Sequence, residues 1–204
     1  MIKAPWPVLA LVAAIIAAFA WEQGPAPPEV VEHYLISSAA LREGRYGALV
    51  GSLFLHGGWA HALGNAAFAL AFATPVCRRM GRDARGVVSF FVFYLLCGVI
   101  SGLTFALAHW HDAAQAAGAS GAIAGCMGAA SRLMGPGPGL APFRSSPVVS
   151  MAVAWLVANV LFGLIFVGWA PGAGGAGMAW EAHLGGYVAG LFLIGPALRL
   201  IGRA

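Results

Sequence analysis

Residues 87–108 read Val-Val-Ser-Phe-Phe-Val-Phe-Tyr-Leu-Leu-Cys-Gly-Val-Ile-Ser-Gly-Leu-Thr-Phe-Ala-Leu-Ala. The run holds no charged side chain and is longer than the ~20 apolar residues that a helix needs to cross a bilayer. A helix that is apolar all round has no face to offer water, so it lies in a large core or in lipid. Composition decides between these. The chain is 60% hydrophobic and 9% charged, with a mean hydropathy of +0.83, whereas soluble domains carry about 25% charged residues. So little charge cannot cover a water-facing surface. The solvent is lipid, and the fold class is an all-α polytopic membrane bundle.

Five further apolar segments lie on either side of that run, at residues 5–20, 61–76, 120–134, 147–169 and 180–201. The second and fourth of the six segments are short for a lipid-facing helix, as a helix enclosed by its neighbours can be. The basic residues give the orientation. Of the eleven Lys and Arg, all but Arg42 and Arg45 fall on one side of a six-span chain. The positive-inside rule makes that side cytoplasmic and puts both termini there. A five- or seven-span chain would scatter these charges. Lys3, the first apolar run and Ala18-Phe19-Ala20 also fit a signal peptide with its cleavage site, a reading that leaves the later orientation unchanged.

Several function classes are disfavoured at this point. The net charge of +4 does not gather into a basic patch with interleaved aromatics, so no nucleic acid is expected as partner. Cys77, Cys97 and Cys126 are odd in number and form no CxxC, which argues against a disulfide framework or a zinc site. No internal repeat and no separate soluble domain is visible, so residues 1–204 read as one membrane domain. A transporter would call for intramembrane charges or a pseudo-symmetric repeat.

The longest segment outside the spans, residues 21–58, lies on the outer side. Pro25, Pro27 and Pro28 make its start irregular. Residues 29–42 then read as an amphipathic helix with Val30, Tyr34 and Leu41 roughly along one face, suited to the plane of the interface, with an ordinary ordered loop the other reading. The outer loop before the last span, Ala-Pro-Gly-Ala-Gly-Gly-Ala-Gly-Met at 170–178, is too rich in glycine to hold a rigid shape.

Polar groups inside a membrane are costly and mark function. Three clusters stand out, all at the outer ends of spans. The first is His56-Gly-Gly-Trp-Ala-His61-Ala-Leu-Gly-Asn65, in which His61 and Asn65 share a helix face. The second is Gly118-Ala-Ser120-Gly121, opening the fourth span. The third is Ala182-His183-Leu-Gly-Gly186-Tyr-Val-Ala-Gly190, early in the sixth. The second, fourth and sixth spans all run from outside to inside, so these residues lie at similar depth. A hydroxyl and an imidazole at one depth, among almost no other ionisable groups, make a nucleophile and its base. His183 would take the Ser120 proton and return it to the leaving amine. The free N–H groups of a helix start favour an oxyanion, and His61 and Asn65 offer it further hydrogen bonds. Gly118 and Gly121 let the backbone come close to the serine, and Gly186 and Gly190 let the sixth span approach the fourth. No acidic residue is available inside the bundle to orient His183, which fits a dyad better than a triad.

Taken together, the three clusters resemble the motifs of the rhomboid intramembrane proteases: H-x4-H-x3-N at the second span, G-x-S-G at the fourth and A-H-x2-G-x3-G at the sixth. The match is in order and in register, and the resemblance covers nearly the whole chain. It implies a six-helix bundle with a long outer first loop, partly in the membrane, that cleaves transmembrane protein substrates near the outer face. It also implies that Ser120 and His183 form the dyad, and that His61, Asn65 and Gly118 form the oxyanion site. The fifth span and the loop after it would gate substrate access. No cofactor and no metal is implied. The basic, Ala/Gly-rich chain fits a bacterial inner membrane. Inactive relatives of the family bind or escort membrane proteins, and they typically lack the serine or the histidine.

Two positions depart from the pattern. Gly47-Ala48 stands where many members carry a Trp-Arg pair, which leaves the anchoring of the first loop open. Ala124 stands where many carry an aromatic residue that packs on the histidine, so another residue must pack His183 or it is held less tightly. Other polar residues read as structural. His56 precedes the span, His109 and His111 diverge in a loop, and Asn159 reads as a helix-to-helix hydrogen bond, with substrate recognition the other reading. Trp59, Trp110, Trp169 and Trp180 form an interfacial belt.

Overall fold

The structure, a computed structural model, describes residues 3–165 and 177–203. It is all-helical, with no strand among the described residues. Helix α1 is Trp6–Glu22, and short helices follow at Pro28–Tyr34 (α2), Ser38–Arg42 (α3) and Ala48–Gly51 (α4), the last running into a 3-10 turn at Ser52–Phe54. The long helices are α5 at Trp59–Met80, α6 at Ala84–Ala108, α8 at Ser146–Val160 and α9 at Trp180–Leu200. Between α6 and α8 lies α7, Ser120–Arg132. Helix α8 continues as a π-turn over Leu161–Ile165, and the rest of the predicted fifth span and most of the glycine-rich loop lie outside the described residues.

Among the described residues four helices are long and apolar enough to cross a membrane, namely α5, α6, α8 with its extension to Gly163, and α9, while α1 is apolar but shorter. The thirteen-residue α7 owes its shortness to its position. Every residue from Gly121 to Ser131 is buried, so α7 is the axis of the bundle and its neighbours cover it. Helix α1 contributes Val8, Leu11 and Ile15 to the main core, which also holds Phe90, Tyr94, Ile123, Ile194 and Leu198.

Small residues bring the backbones of α7 and α9 together. A Cβ on Gly186 would collide with the Gly121 carbonyl, and one on Gly190 with the Gly125 carbonyl. Side chains at these points would hold the helices apart, and their absence permits close packing without a hydrophobic drive between lipid-solvated helices.

The two ends of the bundle are distinct. At one, Arg78 donates to the Lys3 carbonyl at 2.6 Å, Arg79 to that of Pro138 at 3.2 Å, and Arg203 pairs with Asp83 at 2.6 Å. At the other, Arg42 donates to the Trp110 carbonyl at 2.8 Å and stacks over the Trp110 ring.

The single amphipathic helix expected over residues 29–42 is two helices, α2 and α3, with an extended link. Ile36 and Ala116 exchange both backbone hydrogen bonds, at 3.0 and 2.9 Å. Ser37 caps α3 by accepting from the Ala40 amide at 3.0 Å. Ile36 then packs with Ala40, Ala48 and Phe105 in a separate small core. This core and the Arg42–Trp110 contact anchor the first loop where the Trp-Arg pair is missing.

Candidate active site

Ser120 is the first residue of α7. Ser120, Gly121 and Ala122 therefore have no carbonyl one turn earlier in the helix to take their N–H groups. The first such bond is Ile123 to Ala119, at 3.0 Å. His183 enters one turn into α9 and is buried. The close α7–α9 seam brings the two side chains together, with Ser120 Oγ 2.7 Å from His183 Nε2. On its other side His183 Nδ1 lies 3.2 Å from Asn159 Oδ1.

The place of the missing aromatic residue is filled from a different helix. Ala124 is buried, and the Trp155 ring of α8 lies 5.9 Å from the His183 ring, centre to centre, and 6.5 Å from that of Tyr187.

Opposite the serine stands His61, in the first turn of α5. Its Nδ1 accepts from the Gly57 amide at 3.4 Å, which leaves Nε2 to carry the ring proton. That nitrogen faces Gly118. The point a Cβ would take on Gly118 is 2.8 Å from His61 Nε2 and 3.6 Å from Ser120 Oγ. Gly118 also has φ +129°, which disfavours any other residue. Its own amide is engaged, donating to the Ser52 carbonyl at 2.8 Å. Gly118 thus lets its backbone come close to the His61 ring beside the nucleophile, and is not a donor. One turn beyond His61 on the same face, Asn65 is buried and its Nδ2 has no partner among the described residues. An unpaired buried amide is costly unless something else accepts its hydrogens.

His56 lies beside this group. Its amide donates to Glu22 at 2.9 Å, tying the end of α1 to the start of α5. Its ring packs on those of His61 and Phe19, at 5.0 and 6.0 Å. Burial, with His61 nearby, pushes the His56 imidazole down to about 4, so it remains a neutral packing group. His109 caps the far end of α6. It pairs with Asp112 at 2.8 Å and with Glu181 of α9 at 3.4 Å, and the Asp112 hydrogen bond raises its pKa. A cavity of about 30 Å³ borders Ser120, between Ser101, Gly118, Gly121 and Ala182.

A helical membrane bundle with a serine and a histidine hydrogen-bonded at one end defines a class of integral membrane protein. The family follows from comparison. The family model described as Rhomboid domain matches residues 43–199, which contain all three clusters, and the chain belongs to the rhomboid family. Comparison with curated proteins gives no match.

Sequence reading missed Trp155 and the partner of Asn159. Asn159 does make a helix-to-helix hydrogen bond, and its partner is the histidine itself. A lone polar residue in an apolar span was the available signal, but no local motif connects residue 159 with residue 183.

Proposed function

We propose that the protein is an intramembrane serine endopeptidase of one domain, residues 1–204, that cleaves transmembrane protein substrates near the outer face of the membrane. Six spans are formed by α1, α5, α6, α7, α8 and α9, with both termini cytoplasmic. This arrangement agrees with the charge asymmetry and with the basic contacts gathered at one end of the bundle. A bacterial inner membrane is the proposed location.

The observation that carries this reading is the 2.7 Å contact between Ser120 Oγ and His183 Nε2. Serine hydroxyls are weak nucleophiles unless a neighbouring base takes the proton. As Oγ attacks a peptide carbonyl, the proton passes to His183 Nε2 and the carbonyl oxygen becomes an oxyanion. His61 Nε2–H, the Asn65 amide and the first N–H groups of α7 donate to it, a stabilisation that grows as charge develops. His183 then protonates the leaving amine, and the reverse sequence with water frees the acyl group. The cavity beside Ser120 is large enough for one water molecule. A helical substrate must unwind locally to be cut, because a helix occupies its own carbonyls.

Reaction of the purified protein in detergent with a fluorophosphonate probe tests this. Labelling of the wild type, lost in Ser120→Ala and His183→Ala, is expected. Absence of labelling in a folded wild type, across several detergents and lipids, would refute the protease and favour a role in binding membrane proteins.

A further inference from the structure

We propose that Asn159 is a positioning residue that fixes the tautomer and orientation of His183, so that the base is held by helix α8. The inference rests on the protease reading and deepens it.

The hydrogen bonds leave one consistent arrangement. Asn159 Nδ2 donates to the Trp155 carbonyl at 2.9 Å. A carbonyl only accepts, so the amide group of Asn159 is turned toward Trp155 and its Oδ1 toward His183. Oδ1 also only accepts. The contact of 3.2 Å between Oδ1 and His183 Nδ1 therefore needs the ring proton on Nδ1. In a neutral imidazole the other nitrogen then carries the lone pair, and Nε2 faces the Ser120 hydroxyl at 2.7 Å. The backbone of α8 thus selects, through one amide, the tautomer that can take the serine proton. With the proton on Nε2 instead, that nitrogen cannot act as a base.

The surroundings of Asn159 argue against a packing role alone. Helix α8 buries only two of its residues, Val148 and Asn159, and Val149, Val153, Leu156, Val157 and Val160 are all exposed. The one polar residue that this largely lipid-facing helix buries near the site is spent on the histidine. Trp155, one turn earlier on the same face, supplies the ring beside His183. Both groups that hold the base come from α8, and neither comes from α7 or α9.

Three forms of the full chain test this in detergent: wild type, Asn159→Leu and Asn159→Asp. Leucine keeps the size and removes the acceptor. Aspartate keeps an oxygen toward Nδ1 in either protonation state. The rate of fluorophosphonate labelling should fall by roughly 10- to 100-fold in Asn159→Leu, the scale expected of a misplaced catalytic group. It should return to within a few-fold of wild type in Asn159→Asp. Nitrogen-15 spectra of labelled histidine should show His183 as the Nδ1–H tautomer in wild type and as a mixture in Asn159→Leu. If Asn159→Leu does not fold, Asn159→Ala carries the same comparison. Unchanged labelling and an unchanged tautomer in Asn159→Leu would overturn the inference and leave the protease reading standing. So would a slow Asn159→Leu that aspartate does not rescue, which would mark a packing effect. A wild type that never labels, yet changes tautomer on substitution, would remove the protease and keep the positioning role.

Discussion

Replacing Gly186 with alanine tests whether the α7–α9 seam sets the serine–histidine distance. The added methyl would overlap the Gly121 carbonyl, which is backbone and cannot swing aside as a side chain can. The helices must part, on the order of 1 Å if the methyl is to reach an ordinary contact distance, and overpacking of this kind costs about 1–3 kcal/mol. The same displacement acts on the site, because Ser120 and His183 lie one residue and one turn from the seam. Their 2.7 Å contact would open past the hydrogen-bond limit of roughly 3.2 Å. A shift of that size lowers activity about 100-fold. Gly190→Ala makes a matching collision with the Gly125 carbonyl, one turn further from the site, and should cost similar stability with less activity. The assay is the fluorophosphonate labelling rate beside thermal unfolding in the same detergent. Labelling of Gly186→Ala within twofold of wild type at unchanged stability would refute the claim that the seam holds the site together.

Asn65→Ala should lower the labelling rate by about 100- to 1,000-fold, as expected for the loss of an oxyanion donor. Unfolding should occur at the same or a slightly higher temperature, since the substitution removes a buried Nδ2 that has no partner among the described residues. Gly118→Ala should abolish labelling, because its methyl would collide with the His61 ring and displace it, and it should cost about 1–3 kcal/mol from its left-handed backbone, read by the same thermal scan. The His109 pair gives a pH dependence with a definite sign. Its pKa is raised in the folded protein, first by the Asp112 hydrogen bond, so the stabilisation is complete below the ordinary histidine value of ~6.5. It is lost as pH rises through the higher folded value. Thermal scans should show wild type losing stability over that window, and His109→Ala should flatten the loss.

Much of the proposed site is legible in the sequence because each of its parts is local. His61 and Asn65 are four apart on one helix, Ser120 lies between Gly118 and Gly121, and His183 precedes the Gly186–Gly190 step. Membrane helices fix the depth of each cluster, so depth can be read by counting. What is not legible depends on contacts between distant segments. The break at Ile36 is made by pairing with Ala116, and residues 29–42 alone carry helical spacing throughout. Trp155 and Asn159 reach His183 only because α8 packs beside α9, and a tryptophan and an asparagine in an apolar span carry no mark of their partner. The engagement of the Gly118 amide by the Ser52 carbonyl is hidden for the same reason.

The brevity of α7 sets a length scale for the proposed reaction. Its thirteen residues extend about 20 Å at 1.5 Å per residue, while the hydrocarbon layer is ~30 Å thick. In the proposed orientation, which puts Arg132 at the cytoplasmic boundary, the first residue of α7 stops about 10 Å short of the opposite one. The helix acts as a ruler cut to a fixed length. If the proposed reaction holds, where a substrate is severed would be measured from the membrane edge, and proteins of unrelated sequence that present an unwound segment at that depth would meet the same serine.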